Sequence, residues 1–147
     1  MKKQGFFYVL ILFLSSCVGT DFIDDSDMIP EPTEREVTKE KYIGQFSGKG
    51  SYSVSGDVSI YENESNEIIV EFAENFSAST GPGLYVYLSN SNNGVAGGVE
   101  LGKLESNTGG QLYNVSLIDN TLSLESYNHV IVHCKPFNVV FGYAELN

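Results

Sequence analysis

Cysteine and basic residues are scarce in this chain, and tryptophan is absent. Its 147 residues include only two Cys, and eight Lys and Arg stand against 19 Asp and Glu, so the formal net charge is −11. Nucleic-acid binding needs a basic face toward the phosphates, and this balance argues against such a partner. The chain is instead rich in Gly, Tyr and Phe, a composition typical of strands and turns rather than of a helical bundle.

Long hydrophobic runs are also lacking, except for one at the N-terminus. It extends over residues 6–14 behind Lys2 and Lys3, and it is shorter than the roughly 20 residues that span a bilayer. This arrangement is typical of a secretory signal peptide over residues 1–16. The run ends in Leu14-Ser15-Ser16-Cys17, which resembles the lipobox of bacterial lipoproteins. The resemblance implies cleavage before Cys17, acylation of that residue with fatty acids such as palmitate, and anchoring in the outer membrane of the cell envelope.

The scarcity of cysteine restricts redox chemistry. Once Cys17 is acylated, Cys134 is the one remaining free thiol, so the chain cannot form an intramolecular disulfide. Dithiol chemistry of the thioredoxin kind is excluded for the same reason. Three roles remain open for Cys134, namely a mixed disulfide, a sulfenic acid, or ligation of a metal or haem.

Residues 17–40 are predicted to form an acidic tether. Eight of the 19 acidic residues lie between Val18 and Glu40, together with Pro30 and Pro32, and a charged segment with prolines tends to extend. One interpretation is a solvated spacer between membrane and domain. The other is an export signal, because acids close behind a lipidated Cys resemble surface-export signals of some Gram-negative lipoproteins. In that case the domain faces the cell surface.

Residues 41–147 are predicted to form one all-β domain. Apolar and polar residues alternate with period 2 in segments about 8–12 residues apart, separated by turns rich in Gly, Asn and Pro. This spacing predicts a single antiparallel β-sandwich or barrel-like domain. The strands are predicted at Gly50–Ile60, where the alternation is broken at Gly56-Asp57, and at Glu67–Ala73, Leu84–Leu88, Gly98–Leu104, Gln111–Val115, His129–Lys135 and Val139–Leu146.

Four sequence blocks in this region carry a family resemblance. They are Asn75–Ser77 leading into Gly81–Ser89, then Leu101–Leu104, Asn107–Tyr113 and Tyr127–Leu146. In this order they resemble the electron transfer DM-thirteen domain, which occurs beside DOMON domains in animals and alone in bacterial lipoproteins. The resemblance covers residues 43–146 and implies an all-β fold with a redox role for a cysteine near the C-terminus.

Cys134 matches that cysteine, although the family commonly has Trp before it and this chain has His133. Alternation along the strand places Cys134 on one face with Val130 and Val132. A thiol in apolar surroundings is a poor nucleophile, so the residues favour a buried core side chain. The resemblance favours a redox thiol, and both interpretations stay open.

A metal site built from His129, His133 and Cys134 is not expected. The two His share a face but lie about 13 Å apart along the strand, and Cys134 points to the opposite face. The domain lacks the Met of a blue-copper site and the paired Cys of a haem-attachment motif. We expect His129 and His133 to be surface or half-buried residues, at most neighbours of a cofactor, and we assign no metal, catalytic residue or cofactor.

Aromatic residues form a possible binding face. Tyr85 and Tyr87 alternate with core-facing residues, and Phe141 and Tyr143 are expected to share a face of the last strand. Together Tyr85, Tyr87 and Tyr143 could stack on sugars or on a partner protein, or they could pair across strands and stabilise the sheet.

The leading functional hypothesis is a membrane-anchored envelope lipoprotein with a redox or electron-transfer-associated β domain that uses Cys134. The chain contains neither a Gly-x-Ser-x-Gly motif nor a recognisable catalytic triad, so an enzyme is not favoured. The alternative is a non-catalytic adhesion or ligand-binding module in which Cys134 is a core residue. Either function implies an envelope redox or adhesion partner.

Overall fold

The computed structural model describes residues 41–147. The predicted signal peptide, the lipidation site Cys17 and the acidic tether therefore lie outside the described residues. Within the described part of the chain the secondary structure consists of strands and turns, and no helix there is long and apolar enough to cross a membrane.

The described residues form eleven strands. The first six are β1 (Lys41–Gln45), β2 (Ser47–Gly48), β3 (Val54–Ser55), β4 (Asp57–Glu62), β5 (Ile68–Phe72) and β6 (Ser77–Ala78). The last five are β7 (Leu84–Ser89), β8 (Val99–Lys103), β9 (Gln111–Asn114), β10 (His129–Cys134) and β11 (Val139–Glu145).

The strands pair into antiparallel sheets. One sheet has four strands in the order β1-β4-β5-β9, another has five in the order β2-β11-β10-β7-β8, and β3 and β6 form a two-stranded ribbon. Every strand pair is antiparallel. The predicted all-β antiparallel fold is confirmed.

One hydrophobic core receives side chains from both large sheets. In β5, Ile68, Val70 and Phe72 are buried, because alternate residues of a strand point to the same face. The five-stranded sheet contributes Val130 and Val132 to the same core. The predicted alternation of β10 is confirmed, since both valines and Cys134 belong to this cluster.

A β-bulge interrupts the pairing of β10 with β11. Val132 pairs with Gly142 and His133 with Val140, so Phe141 is the extra residue of the bulge. Phe141 consequently packs into the main core, whereas Tyr143 packs on the opposite face of the sheet. The prediction that Phe141 and Tyr143 share a face is wrong, because an extra residue shifts the alternation by one position.

The outer face of the five-stranded sheet carries a second hydrophobic cluster. Tyr87, Ile131 and Val140 are buried there, and Tyr85 and Tyr143 pack against them half-buried. All six residues of β10 are buried as a result. This central strand is covered on both faces.

Candidate functional site

Cys134 is the last residue of β10 and is completely buried. Its exposed fraction is 0%, and it pairs with Leu84 of β7 and Val139 of β11. It is a free thiol, with no disulfide partner among the described residues. The central position of β10 between β7 and β11 fixes the backbone that carries it.

The thiol of Cys134 lies directly beneath the loop that precedes β7. Its S–H donates a hydrogen bond to the carbonyl oxygen of Pro82, with 3.0 Å between sulfur and oxygen. The sulfur is thus both buried and in contact with a backbone carbonyl. In this conformation the side chain of Cys134 is not accessible to a reagent in solvent.

The loop over Cys134 is fastened to the turn that follows β10. The backbone N–H of Lys135 donates to the carbonyl of Gly83 at 3.0 Å. A Cβ added at Gly83 would lie 2.9 Å from the ring of Pro136, and Gly83 has a φ of +62°. Only glycine therefore fits at position 83. The loop before β7 and the turn after β10 pack against each other over the sulfur of Cys134.

The other side of this loop contacts an aromatic stack. A Cβ added at Gly81 would lie 2.6 Å from the ring of Phe141. That ring stacks on Tyr52, with 3.7 Å between centroids and 12° between planes. We call residues 81–83 the Pro82 loop. It is packed against Phe141 at one end and Pro136 at the other.

His133 precedes Cys134 and lies on the opposite face of β10, where it is only 3% exposed. Its Nε2 donates to Oδ1 of Asn138 at 3.2 Å, because an amide oxygen can only accept. Its Nδ1 is buried without a hydrogen-bond partner among the described residues. Burial lowers the pKa of His133, and the hydrogen bond to Asn138 opposes this in part, so the imidazole is neutral at neutral pH.

His129 is buried on the same face, where its Nδ1 contacts Oδ1 of Asn128 at 2.6 Å. The prediction that His129 and His133 are exposed or half-buried is wrong, because the second cluster covers the face on which they lie. Cys134 lies on the other face. Among the described residues no group of three His, Cys, Asp or Glu side chains is placed to hold a metal ion.

Tyr87 belongs to a hydrogen-bonded network with Glu100 and Lys135. Its hydroxyl donates to the Glu100 carboxylate, which also lies 2.8 Å from the ammonium of Lys135. Burial, followed by this carboxylate, raises the pKa of Tyr87. The hydrogen bond from Lys135, followed by that from Tyr87, lowers the pKa of Glu100. The network therefore holds a neutral phenol, an ionised carboxylate and a charged amine.

The three tyrosines of the possible binding face have different exposures. Tyr87 is buried, whereas Tyr85 and Tyr143 are half-buried. A lysine ammonium lies over each half-buried ring, Lys135 at 4.6 Å from the Tyr85 centroid and Lys49 at 5.8 Å from the Tyr143 centroid. Both distances are in the range of cation–π attraction. The surface presented to solvent is thus aromatic and cationic together.

Sequence reasoning missed Glu100, Lys135 and the Pro82 loop. Glu100 stands opposite Tyr87 because a register shift occurs between Val86 and Tyr87 in the pairing of β7 with β8. No periodicity in the sequence marks that shift. The Gly81-Pro82-Gly83 segment lies in one of the blocks that carry the family resemblance, yet its contact with Cys134 joins residues 52 positions apart.

The model of the family described as Electron transfer DM13 matches residues 45–146. None of the curated proteins matches the chain, and none of the solved structures does.

Proposed function

The chain belongs to the Electron transfer DM13 family, and on this premise we propose that it is a membrane-anchored envelope lipoprotein whose β domain transfers electrons through Cys134. The family match extends over almost all of the described residues. Cys134 is the free thiol of this region. It lies at the end of a central strand and contacts the Pro82 loop.

The hydrogen bond from Cys134 to Pro82 carries the proposal. Because the thiol donates to the loop itself, displacement of the Pro82 loop would uncover the sulfur and break that bond in one movement. The pairing of β10 with β7 and β11 would persist, because it involves the backbone of the strands. Reactivity would then depend on local opening rather than on global unfolding.

The chemistry that fits a single thiol is exchange with a disulfide of a partner protein. In the open state water accepts the proton of Cys134, and the thiolate attacks one sulfur of the partner disulfide. A new S–S bond forms as the old one breaks, and the second partner sulfur leaves as a thiolate. No second free Cys is found among residues 41–147, so a dithiol of a second, reduced protein completes the transfer. One thiolate of that dithiol attacks the Cys134 sulfur of the mixed disulfide, and the partner leaves with both of its sulfurs reduced. The other thiolate of the dithiol then closes a disulfide in the second protein and releases Cys134 as a thiolate, so two electrons pass from the second protein to the partner.

Membrane anchoring is supported by the order of basic, apolar and small residues before Cys17. Acyl chains on Cys17 would bury enough methylene groups to hold the protein stably at a bilayer. We expect the full chain, expressed in a Gram-negative host, to incorporate radiolabelled palmitate and to sediment with membranes. Cys17→Ser should abolish both, whereas the matched variant Cys134→Ser should retain both. Labelling that persists in Cys17→Ser would contradict the proposed anchor.

A second candidate function is a non-catalytic adhesion or ligand-binding module in which Cys134 is a core residue. The complete burial of the side chain favours it, since a free Cys often behaves as a small apolar residue. In that case Cys134 would react only when the whole domain unfolds.

The rate of thiol labelling distinguishes the two functions. We would measure maleimide labelling of Cys134 in the Cys17→Ser chain across low urea concentrations, beside the rate of global unfolding. Electron transfer through Cys134 predicts labelling faster than unfolding, with a weak urea dependence, and a mixed disulfide with oxidised glutathione. Labelling at the unfolding rate would favour the adhesion or ligand-binding module.

A further inference from the structure

Charge is distributed unevenly between the two large sheets. Residues 41–147 contain four Lys and eleven Asp or Glu, so their net charge is 4 − 11 = −7. All the acids except Glu100 and Glu145 lie on the four-stranded sheet or in loops that lead to or from it. Among residues 41–147, Lys41 is the single base on that side, which leaves that side with a net charge of 1 − 9 = −8.

The outer face of the five-stranded sheet has the opposite character. Lys49 and Lys135 lie over tyrosine rings of this face, and Lys103 stands opposite Tyr85 in the strand register. Its two acids are Glu100, which pairs with Lys135, and Glu145, at the end of β11. The face therefore carries 3 − 2 = +1 on a domain that is otherwise strongly negative.

The cations and aromatic rings of this face concentrate at one end. Tyr85 lies between Lys103 and Lys135. Lys103 is exposed, and this lysine makes no ion pair among the described residues. Phe137, two residues beyond Lys135, is 68% exposed. We call Tyr85, Lys103, Lys135 and Phe137 the Tyr85 patch.

The Tyr85 patch lies next to the segments that cover the buried thiol of Cys134. Tyr85 pairs with His133 and Leu84 with Cys134 in the register of β7 and β10. The backbone N–H of Lys135 is also the group that fastens Gly83 of the Pro82 loop. A molecule bound to the patch would thus contact the segments that close over Cys134.

We propose that the Tyr85 patch docks an acidic protein, the partner with which Cys134 exchanges electrons. The inference rests on the proposed function and adds the place and the charge of that partner. Lysines beside half-buried aromatic rings match an acidic protein surface in both charge and apolar contact. The −8 charge of the other sheet repels such a partner from the wrong side and so orients its approach.

An anionic membrane surface is the other class of partner with this charge. Segments that recognise anionic lipids generally cluster about four to eight bases. Here the face has three, and one of them is already paired with Glu100. The mixture of aromatic rings, one paired carboxylate and few cations favours a protein.

The test uses the full mature chain with Cys17→Ser, labelled with ¹⁵N, and a poly-glutamate peptide as the acidic probe. At low salt we expect amide shifts to be confined to the Tyr85 patch and the Pro82 loop, and to disappear at high salt. Lys103→Glu should weaken the binding of the peptide about tenfold. The matched variant Lys41→Glu, on the other sheet, should bind the peptide like the parent.

Three results would overturn the docking proposal. The first is a set of amide shifts spread over other surfaces of the domain. The second is a loss of peptide binding in Lys41→Glu equal to that in Lys103→Glu. The third is a protein that does not bind the peptide but binds phosphatidylglycerol vesicles, with that vesicle binding abolished by Lys103→Glu. The titration is repeated with Cys134→Ser, which should bind the peptide unchanged. Two results together would reject the thiol chemistry but support the docking surface. They are unchanged peptide binding in Cys134→Ser, and maleimide labelling of Cys134 that proceeds only at the rate of global unfolding.

Discussion

Cys134 and His133 are adjacent in the chain, yet each is buried in a different environment. The sulfur lies in the main core and donates to Pro82. The imidazole lies on the outer face, with its ring centroid 5.5 Å from the ring centroid of Tyr87. Because β10 is covered on both faces, a substitution at either position acts on a different cluster. The two residues can therefore be tested separately.

Replacing Cys134 by Ala should destabilise the domain whether or not the thiol is reactive. The variant loses a buried sulfur and leaves the Pro82 carbonyl without its donor, so we expect the free energy of unfolding to fall by about 1–2 kcal/mol. Urea denaturation measures it. Cys134→Ser is the matched control, since its hydroxyl can still donate to Pro82. Equal stability of Cys134→Ala and the parent would show that the sulfur is not tightly packed.

His133 should make the stability of the domain depend on pH. Burial lowers its pKa in the folded state, so the unfolded chain binds more protons as the pH falls, and stability rises with pH. The contribution of His133 to the free energy of unfolding is complete above the ordinary His pKa of about 6.5, and it is lost as the pH falls toward the pKa of the folded state. Urea titrations between about pH 7.5 and 5.5 measure it.

His133→Gln is the matched variant, because its amide can still donate to Asn138 without titrating. We expect this substitution to flatten the pH dependence in that window. A slope that is unchanged in His133→Gln would assign the effect to other groups.

At the scale of the elements, tight turns separate strands that the pattern merges. The segment predicted as one strand over Gly50–Ile60 is two strands, β3 and β4, with Gly56 between them at a φ of +110°. A Cβ there would lie 2.5 Å from the backbone of Phe76. The chain changes from the ribbon to the four-stranded sheet at this glycine. The break that the sequence shows at Gly56-Asp57 is thus a change of sheet.

Gly56→Ala should be clearly more destabilising than Gly50→Ala. Both glycines have positive φ, so alanine costs roughly 1 kcal/mol or more of backbone strain at either position. At Gly50 a Cβ would meet nothing within 4 Å, whereas at Gly56 it would collide with backbone. Urea or thermal unfolding of the two variants measures the difference. Equal losses would show that the approach of Phe76 to Gly56 is not close in solution.

For the whole molecule, the separation of charge has a cost in stability. With a net charge of −7 over residues 41–147, the acids of the four-stranded sheet repel one another at low salt. We expect the free energy of unfolding to rise by up to about 1 kcal/mol as salt screens this repulsion. Denaturation in low and moderate NaCl measures the effect.

Glu64→Lys provides the control for this prediction. Glu64 is exposed in the turn between β4 and β5, so the substitution lowers the negative charge without disturbing the core. The salt dependence should be smaller in this variant. A stability that falls with added salt would mean that attractive pairs dominate the surface.

The sequence by itself determined most of the strands, and it determined the faces that their residues occupy wherever the alternation is unbroken, because alternation with period 2 is a local property of the chain. Its pattern located seven of the strand regions and placed Cys134 with Val130 and Val132. The strands β1, β2 and β6 lie outside those seven regions, and the two residues of β2 or β6 are too few to show a period. The membrane anchor at Cys17 is likewise a local signal, and it remains a prediction.

Only the tertiary structure decided which faces are covered. Alternation shows that His129 and His133 share a face, but their burial depends on Tyr87 and other residues brought in from distant segments. The contact of Cys134 with Pro82 and the pairing of Lys135 with Glu100 join residues 52 and 35 positions apart. Bulges, loop closure and the placing of charge on one sheet arise from such long-range contacts, and a local pattern contains no information about them.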